Sequence, residues 1–552
     1  MSAGDTYTID ESMSSKETDL SKISQKFYTR TPDVNGQNYS SSQINFNLPN
    51  LSTRDAFLSL RDSYVEFPYQ IVVDSDIDWD TSAKCTFSAG LKGGFTQLVN
   101  SLSVTIDNNQ VINFTDMSNI PLTYKIMSSF SQDDEANLAD SIDFAMDNEA
   151  SLGYSATEGE INNAIKPATF DPEVGYESGQ INGGLLKRQM RTSYDPAGTE
   201  ESKFTSEALT VTKRKSYYIR KTAKQLVYNI MVVLQLKFLT WDFFDKMPLT
   251  MGLFMRMTLG IHTGKVTFAS SVAGAVSAIV PSSMYGCIPA QITPFQAGLG
   301  QTANAGVITM STGIVKTATS TSSSLGTSAN FVACFYKMRP QEESKYLSSM
   351  PTKRIDYTEL ATNRYLNVIP NQQITFQIGN SFSKIRWLLI HTSLSASING
   401  SANASDTTFS AGNASAYSVF NSPFSSAPTT CMKSAHVSNF NVRVGGVNHY
   451  TENNVDYTYE MFLNEVRSSN SLLGGEQVGL TSGLISQKMW EEGYGYIFVD
   501  LSRKLSEADD TLPKAVEFIG RNNTLNVVDY ICHVGYEKNI DVNISTGKIQ
   551  IL

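Results

Sequence analysis

The sequence predicts an all-β protein built from two similar domains in tandem. An alternating segment, a tight turn and a second alternating segment occur at residues 101–113, and a comparable arrangement occurs at 439–450. A short amphipathic segment follows each of them, at 120–130 and at 456–467. Charged residues make up 17% of the chain, against ~25% in typical soluble domains, while Tyr and Phe are plentiful. A β unit of this kind that occurs twice indicates a duplicated domain.

The two copies share their turn chemistry and their helical pattern. The predicted turn is Asn108-Asn109 in the first copy and Gly445-Gly446 in the second, and both pairs tolerate the positive φ of a two-residue hairpin turn. The helical segments contain Tyr124 and Tyr459 at corresponding places, and each has an apolar stripe at helical spacing. Because each helix is too short to be stable alone, each is expected to pack against its own sheet.

Other segments give each half roughly eight strand candidates. In the first half they include Gln43–Leu48, Tyr64–Val73, Gln225–Leu236, Leu253–Leu259 and Phe331–Tyr336. In the second half they include Gln373–Ile378, Ile385–Ile390, Tyr496–Leu501, Leu525–Ile531 and Ile540–Ile544. Eight strands with connections of Greek-key length predict a jelly roll in each half, so the predicted fold class is a double jelly roll with long loop insertions and a few short helices. Pro68, inside one segment, predicts an edge strand or a bulge.

The same patterns divide the chain into three parts. They are an N-terminal arm at 1–40, a first jelly roll at 41–345 and a second jelly roll at 346–552. The arm is polar and is expected to become ordered only against a partner. Long polar segments at about 131–210, 264–330 and 395–430 predict insertions in the jelly rolls. A short helix at Arg339–Leu347 is expected to join the two jelly rolls.

Composition argues against several classes of function. A net charge of −10 is unusual for a free-standing nucleic-acid-binding protein, because such proteins are usually basic. The five cysteines are scattered and form no Cys-x-x-Cys pair, which is typical of reduced thiols in a cytosolic or nuclear compartment. The acidic first residues do not resemble a signal peptide, and the apolar segment Leu226–Leu239 is too short and too polar to span a bilayer.

Two segments resemble ligand-binding motifs without completing them. Gly260–Val266 resembles a phosphate-binding loop, but it has one residue too few between the glycines, and Val266 stands where Ser or Thr would bind magnesium. We interpret it as a strand that ends in a turn. Asp74–Asp80 has a carboxylate at every second position, but Trp79 and Cys85 stand where a calcium loop needs Gly and Glu. We interpret it as a solvated acidic loop, and the sequence leaves open whether it binds a cation.

The sequence predicts no catalytic, cofactor-binding or metal-binding residue. The histidines have no ligand-like spacing; they are His262, His391, His436, His449 and His533. No nucleophile elbow occurs, and no pair of carboxylates stands out. We therefore expect that the chain is not an enzyme and needs no cofactor or metal.

A basic cluster lies just before the apolar strand that begins at Gln225. It comprises Lys213–Lys215, Arg220, Lys221 and Lys224. We interpret it as the solvated edge of a sheet, where lysine discourages unwanted strand pairing. A contact with nucleic acid or with an acidic partner, and a nuclear-import signal, are the alternatives.

Two eight-stranded units, each with a hairpin and a helix at 101–130 and 439–467, resemble the double jelly-roll major capsid proteins, most of all those of virophages and polinton-like viruses. The resemblance covers about residues 40–552 and rests on architecture and duplication rather than on a diagnostic motif. In this family the helix follows the sixth strand of each barrel, and residues 120–130 and 456–467 are expected at that place. The family has no catalytic residues to transfer to this chain.

The resemblance implies a structural protein in the capsid of a virion. It implies a homotrimer, in which six jelly rolls surround one axis as a hexon-like capsomer. Contacts between neighbouring trimers would then tile the icosahedral shell of a double-stranded DNA virus. Further implied partners are penton and minor capsid proteins and, on the inner face, an internal membrane or packaged DNA. Assembly is expected in the host cytoplasm or nucleus.

Two other classes of function remain as alternatives to the capsid role. A carbohydrate-binding jelly-roll adhesin, or a spike or fibre protein, would also use two β domains without catalytic residues, and exposed aromatic residues in the loops would favour it. An enzyme of the cupin type would need a cluster of two or three histidines, which the dispersed histidines do not provide.

Overall fold

The structure is a computed structural model, and most of the residues that it describes lie in strands. The described residues are 22–36, 39, 42–49, 51, 55–75, 89–146, 170–171, 175–176, 188, 219–222, 224–270, 276–281, 289–292, 306–314, 328–349, 351–394, 437–452, 455–468, 483–491, 495–502, 512–524 and 527–552.

The first unit precedes the helix that joins the two units. Its strands are β1 (Ile23–Pro32), β2 (Gln43–Leu48), β3 (Phe57–Ser75), β4 (Ala89–Leu91), β5 (Val99–Ile106), β6 (Asn109–Phe114), β7 (Phe170–Asp171), β8 (Gly175–Tyr176), β9 (Ile219–Thr222), β10 (Gln225–Gln235), β11 (Met255–Ile261), β12 (Gly264–Ser270), β13 (Val276–Pro281), β14 (Ala290–Ile292), β15 (Gly306–Ile314) and β16 (Asn330–Met338). Its helices are α1 (Asn119–Ser129), α2 (Gln132–Ile142) and α3 (Phe243–Lys246), with 3-10 turns at Phe95–Leu98 and Leu236–Phe238. The joining helix is α4 (Pro340–Ser349).

The second unit follows α4. Its strands are β17 (Thr352–Val368), β18 (Gln373–Phe382), β19 (Ile385–Leu394), β20 (Val437–Val444), β21 (Val447–Asn448), β22 (Ile497–Asp500), β23 (Lys514–Asn522), β24 (Val528–Asn543) and β25 (Ile549–Ile551). Its helices are α5 (Tyr459–Ser468) and α6 (Gln487–Met489).

The two units share one arrangement of eight antiparallel strands. In the first unit, β1, β16, β3 and β10 lie side by side in one sheet, and β2, β11, β5 and β6 lie side by side in another. In the second unit, the corresponding orders are β17, β24, β19, β22 and β18, β23, β20, β21. Taken in chain order, the strands of one set match those of the other one to one. The predicted fold class, a double jelly roll, is confirmed.

The two matching helices follow corresponding strands. α1 follows β6 and α5 follows β21, and each is the fifth of the eight shared strands. Counted with β4, a short strand that has no counterpart among the described residues of the second unit, α1 follows the sixth strand of its unit as expected, whereas α5 follows the fifth of its own.

The alternation seen in the sequence sets which side of each strand is buried. Along β5, Leu102, Val104 and Ile106 are fully buried while the residues between them are partly exposed. Each fully buried side chain of this size stabilises the fold by about 1.5–3 kcal/mol. Most of the buried apolar side chains of both units belong to one large core, and a smaller cluster contains Phe57, Leu249 and Ile544 among others.

Part of the predicted N-terminal arm is a strand. Residues 1–21 lie outside the described part of the chain, but β1 pairs with β16 from Ile23 to Pro32. The prediction that these residues order only against a partner is therefore wrong. Their sequence conceals the strand because β1 is an edge strand with mostly exposed side chains, among which Phe27 packs against the core.

The predicted insertion at 264–330 contains strands. β12, β13 and β15 extend the sheet of β3, and β14 pairs with β4. The predicted insertion at 131–210 begins with α2, and most of its later residues lie outside the described part of the chain. The whole of the predicted loop at 395–430 also lies outside it.

Pro68 lies in the interior of a sheet, where β3 pairs with β10 without a register shift, so the prediction of an edge strand or a bulge is wrong. It is opposite Met231 of β10 on one side of β3. On the other side of β3, the described pairing with β16 ends at Glu66 and the pairing with β15 begins at Tyr69. Pro68 therefore falls in a gap between two partner strands, where a residue without an N–H group costs no hydrogen bond.

The helices of both units are short. Among the described residues, none has both the length and the apolar character that a membrane-spanning helix requires.

Candidate functional site: the junction between the two units

The β hairpins of the two units match in register. Ile106 pairs with Asn109 in the first hairpin, and Val444 pairs with Val447 in the second. Both strands are displaced by the same number of residues (444 − 106 and 447 − 109 both give 338). The first turn is Asp107-Asn108, one residue earlier than predicted, and these residues have positive φ, as the two glycines of the second turn do.

The second unit covers the outer edge of the first hairpin. The Tyr357 hydroxyl donates to the carbonyl oxygen of Val111 at 2.5 Å, and the N–H of Asn113 donates to Glu359 Oε1 at 2.8 Å. Both acceptor and donor belong to β6, which pairs on its other side with β5. Since an unpaired strand edge is a template for unwanted pairing, these two side chains of β17 close it.

Glu359 is a buried carboxyl group that faces a lysine. Its side chain is 1% exposed, and Lys538 Nζ lies 3.4 Å from Oε2. Burial raises the pKa of Glu359, although Lys538 and the N–H of Asn113 act in the opposite direction. Glu359 therefore joins the two units by accepting a hydrogen bond. This contact opposes an unfavourable loss of water around its carboxyl group.

Aromatic rings meet across the junction on the inner side. Trp241 of the first unit and Trp387 of the second lie 4.3 Å apart between ring centroids, and both are almost fully buried. Tyr124 of α1 and Tyr496 lie 4.0 Å apart, and the Tyr496 hydroxyl is hydrogen-bonded to Ser128. Large apolar rings of this kind contribute more than any other side chain to the energy of an interface.

Polar contacts fix the two units in register. The N–H of Thr358 donates to Asp242 Oδ1 at 2.8 Å, and Lys246 Nζ donates to the carbonyl oxygen of Asp356 at 2.8 Å. Lys246 also pairs with Asp242 at 2.7 Å. Arg364 and Asp116 form a further ion pair between the units. Asp242 and Lys246 form charge-assisted hydrogen bonds with particular backbone atoms of the second unit. These contacts therefore favour one position of the second unit against the first.

The outer edge of the second hairpin has no such cover in the described part of the chain. Val447 is 72% exposed. Its counterpart Asn109 is partly buried and donates from its side-chain amide to the carbonyl oxygen of Ile549 at 2.8 Å. β21 ends after two residues, whereas β6 continues to Phe114.

The strand that matches β17 in the first unit is also uncovered. This strand is β1, which pairs with β16 and with no other described strand. Lys26, Tyr28 and Arg30 on β1 are exposed, and Tyr28 is 49% exposed. Among the described residues, β6 and β17 therefore contact each other, while their counterparts β21 and β1 are left uncovered.

The segments that resemble ligand-binding motifs do not form a ligand site in the described residues. Gly260 lies in β11 and Gly264 begins β12, so residues 260–266 are a strand, a turn and a strand, as interpreted from the sequence. Asp74 is the penultimate residue of β3 and accepts a hydrogen bond from Gln225 Nε2 at 2.8 Å. Residues 76–80 lie outside the described part of the chain. Within the described ranges, no three His, Cys, Asp or Glu side chains lie together as metal ligands would.

The basic cluster is described only in part. Residues 213–215 lie outside the described part of the chain, while Arg220 and Lys221 lie on β9. β9 pairs with β10 and is the last described strand at that side of the sheet. This backbone position agrees with the interpretation as a sheet edge.

Two histidines that the sequence did not connect lie side by side. The His391 and His533 rings are stacked with centroids 5.3 Å apart, on the neighbouring strands β19 and β24. Both are fully buried, and Thr362 Oγ1 lies 2.9 Å from His533 Nδ1. Burial, with the charge of Arg364, lowers the pKa of His391 to about 3, and burial together with His391 and Arg364 lowers the pKa of His533 well below its usual value. The strand register, which the sequence does not reveal, brings them together.

Comparisons with known proteins show the fold. No family model and no curated protein matches the sequence. A chain in the cryo-EM structure of the Sputnik virophage is similar with a TM-score of 0.50 and 13% identity, over 96% of this chain and 89% of that one. The crystal structure of the mavirus major capsid protein has a TM-score of 0.46 and 12% identity, over 95% and 90%. The Faustovirus major capsid protein has a TM-score of 0.44 and 9% identity, over 93% and 90%.

The class of protein follows from these observations. The chain is a double jelly roll, and it shares this fold with the Sputnik virophage chain along almost its entire length. The predicted resemblance to the double jelly-roll capsid proteins is thus confirmed for the fold.

Proposed function

We propose that this chain is the major capsid protein of an icosahedral double-stranded DNA virus. The observation that carries the proposal is the closed contact between β6 and β17 together with its two open copies, β21 and β1. The surfaces that bind each other within the chain are repeated on β21 of the second unit and β1 of the first, where no described residue covers them. A protein with complementary open ends assembles with further copies of itself.

Three copies close such an assembly. The β21 edge of one copy binds the β1 edge of the next, as β6 binds β17 within the chain. This head-to-tail contact generates a ring if the rotation closes, and six similar jelly rolls around one axis make a pseudo-hexameric capsomer from a homotrimer. Further contacts between trimers would tile the shell, with penton and minor capsid proteins as the remaining partners.

The contacts that support this function are structural ones. The junction uses buried rings, capped strand edges and ion pairs, and the function needs no reaction, cofactor or metal. We propose that the protein is not an enzyme and resides in the virion capsid after assembly in the host cytoplasm or nucleus. Its inner face would meet an internal membrane or packaged DNA.

The adhesin, spike or fibre alternative has less support. It calls for aromatic side chains exposed in loops, where they would stack on sugar rings. In the described ranges, the strongly exposed aromatic side chain is Tyr28, which lies on the strand β1.

The decisive experiment is to size the purified full-length chain and to image it. Light scattering coupled to size exclusion is expected to give the mass of three chains at micromolar concentration. Electron microscopy is expected to show hexagonal particles of that mass. A stable monomer at the same concentration would contradict the proposal, since capsomer interfaces above ~2,000 Å² are obligate.

A further inference from the structure

A cavity of about 220 Å³ lies in the first unit beside α1. Its charged lining consists of Arg61, Lys125, Lys237 and Asp245. Arg61 Nε lies 3.6 Å from Asp245 Oδ1, so the one carboxylate of the lining already faces the guanidinium group. Three positive groups against one negative group leave the cavity with an excess of positive charge.

The two lysines of the cavity lack a carboxylate partner within 4.0 Å in the described part of the chain. Lys125 Nζ donates to the carbonyl oxygen of Trp241 and lies 5.5 Å from the centre of its ring, and Lys237 Nζ lies 4.9 Å from the centre of the Phe238 ring. Burial lowers the pKa of Lys125 and also lowers the pKa of Lys237. Partly buried ammonium groups of this kind gain stability when an anion replaces the water that they have lost.

The rest of the lining is largely apolar. Leu122, Ile126 and Phe130 of the α1 region and Phe238 of the following segment form this part of the wall. A bare inorganic anion would leave these surfaces against water. An anion that carries a short apolar body would cover them and gain about 25 cal/mol for each Å² removed from water.

The segment at residues 236–246 connects the cavity to the junction between the two units. Its residues Lys237, Phe238 and Asp245 line the cavity. Within the same segment, Trp241 packs against Trp387 with its ring tilted by 36°, and Lys246 donates to the carbonyl oxygen of Asp356. A ligand that holds this segment from one side therefore supports the contacts that it makes on the other side.

We propose that this cavity binds a small amphiphilic anion, a carboxylate or phosphate headgroup on a short apolar chain, and that its binding stabilises the junction between the two jelly rolls. The lysines hold the headgroup and the apolar wall holds the chain. Binding of this ligand is independent of how copies of the protein assemble.

The test uses the full-length protein with octanoate as the probe. Octanol, which has the same chain without the charge, and acetate, which has the charge without the chain, serve as comparison ligands. Octanoate is expected to raise the melting temperature in a concentration-dependent way, because a ligand that binds the folded state stabilises it. Hydrogen exchange is expected to slow at β17 and at 236–246. A response to octanol or acetate equal to that of octanoate would overturn the proposal.

Variants locate the effect in the cavity. Lys237→Met keeps most of the side-chain volume and is expected to lower the affinity for octanoate at least about tenfold, which corresponds to ~1.4 kcal/mol. Lys353→Met is the matched control, because Lys353 is also a partly buried lysine whose pKa burial lowers, to about 8, but it lies against Tyr346 outside the cavity. Unchanged affinity in Lys237→Met, or equal losses in both variants, would also overturn the proposal.

Discussion

Glu359 of the second unit accepts a hydrogen bond from the backbone N–H of Asn113 in the first, at 2.8 Å. The donor lies on the outer edge of β6. There the side chain of Glu359 supplies the hydrogen-bond acceptor that a neighbouring strand would otherwise supply. The contact joins residues 246 positions apart in the sequence, and it is one of the contacts that hold the two jelly rolls together.

Replacement of Glu359 tests this contact. Glu359→Ala is expected to reduce the free energy of unfolding by about 1–3 kcal/mol, because the N–H of Asn113 and the ammonium group of Lys538 lose a buried acceptor. Glu359→Gln keeps an acceptor oxygen and is expected to lose less. Urea titration of both variants measures the difference. Equal stabilities of the two variants would show that the acceptor oxygen has no role.

Gly535 tests how tightly the ring of Trp387 is held. A Cβ atom at position 535 would come within 2.2 Å of Trp387 Cε2, and the ring cannot move because it is buried against Trp241. Gly535→Ala is expected to destabilise the protein by about 1–3 kcal/mol through overpacking. Gly313→Ala is the control, since its Cβ would meet nothing closer than 3.7 Å and is expected to change stability by less than ~0.5 kcal/mol. Thermal unfolding of both variants measures the difference. A Gly535→Ala variant as stable as the control would contradict the tight packing of Trp387 against Gly535.

The buried pair His391 and His533 predicts a loss of stability in mild acid. Burial lowers both pKa values in the folded state, so the folded protein binds fewer protons than the unfolded chain below pH ~6.5. Stability is therefore full above that pH and is lost as the pH falls, by about 1.4 kcal/mol per pH unit for each histidine. His391→Leu is expected to show a shallower decline than the wild type between pH 6.5 and 5. Urea midpoints at several pH values measure it, and parallel curves would refute the role of the pair.

The open hairpin of the second unit predicts where copies of the chain meet. Val447→Arg is expected to leave the monomer folded, because the side chain is 72% exposed, and to convert the proposed trimers to monomers. Ile369→Arg is the matched control, since Ile369 is 56% exposed in the same unit but lies near Asn522, at the other end of β23 from Val444. Native mass spectrometry compares the two. If the wild type and Val447→Arg are both trimers, the proposed contact surface at Val447 is wrong, but the proposed capsid function is not contradicted.

The sequence was informative wherever one face of an element is buried. Gln43–Leu48 was predicted with its observed bounds, and the duplicated hairpin was found because its buried residues alternate in both copies. The helix α4 was also expected near its observed place. These elements are local, so their patterns are complete within a few residues of sequence.

Elements whose environment comes from distant parts of the chain were harder to predict. β1 and β17 are edge strands, and many of their side chains are polar because they face solvent or the junction. The sequence predicts two strands where the structure has the single strand β24. The residues in the middle of β24 resemble a break between strands, although they too pair with β17. The stacked histidines and the capped edge of β6 depend on register and on the docking of the units. Neither leaves a local pattern that a reader of the sequence could detect.

The cover that β17 gives to β6 has a consequence for synthesis of the protein on the ribosome. Translation produces β6 more than 200 residues before Glu359, so the growing chain emerges with an uncapped strand and an unstacked Trp241. Both remain exposed until the later half has been made. A truncated product would therefore keep an exposed strand edge, which favours aggregation and unwanted strand pairing.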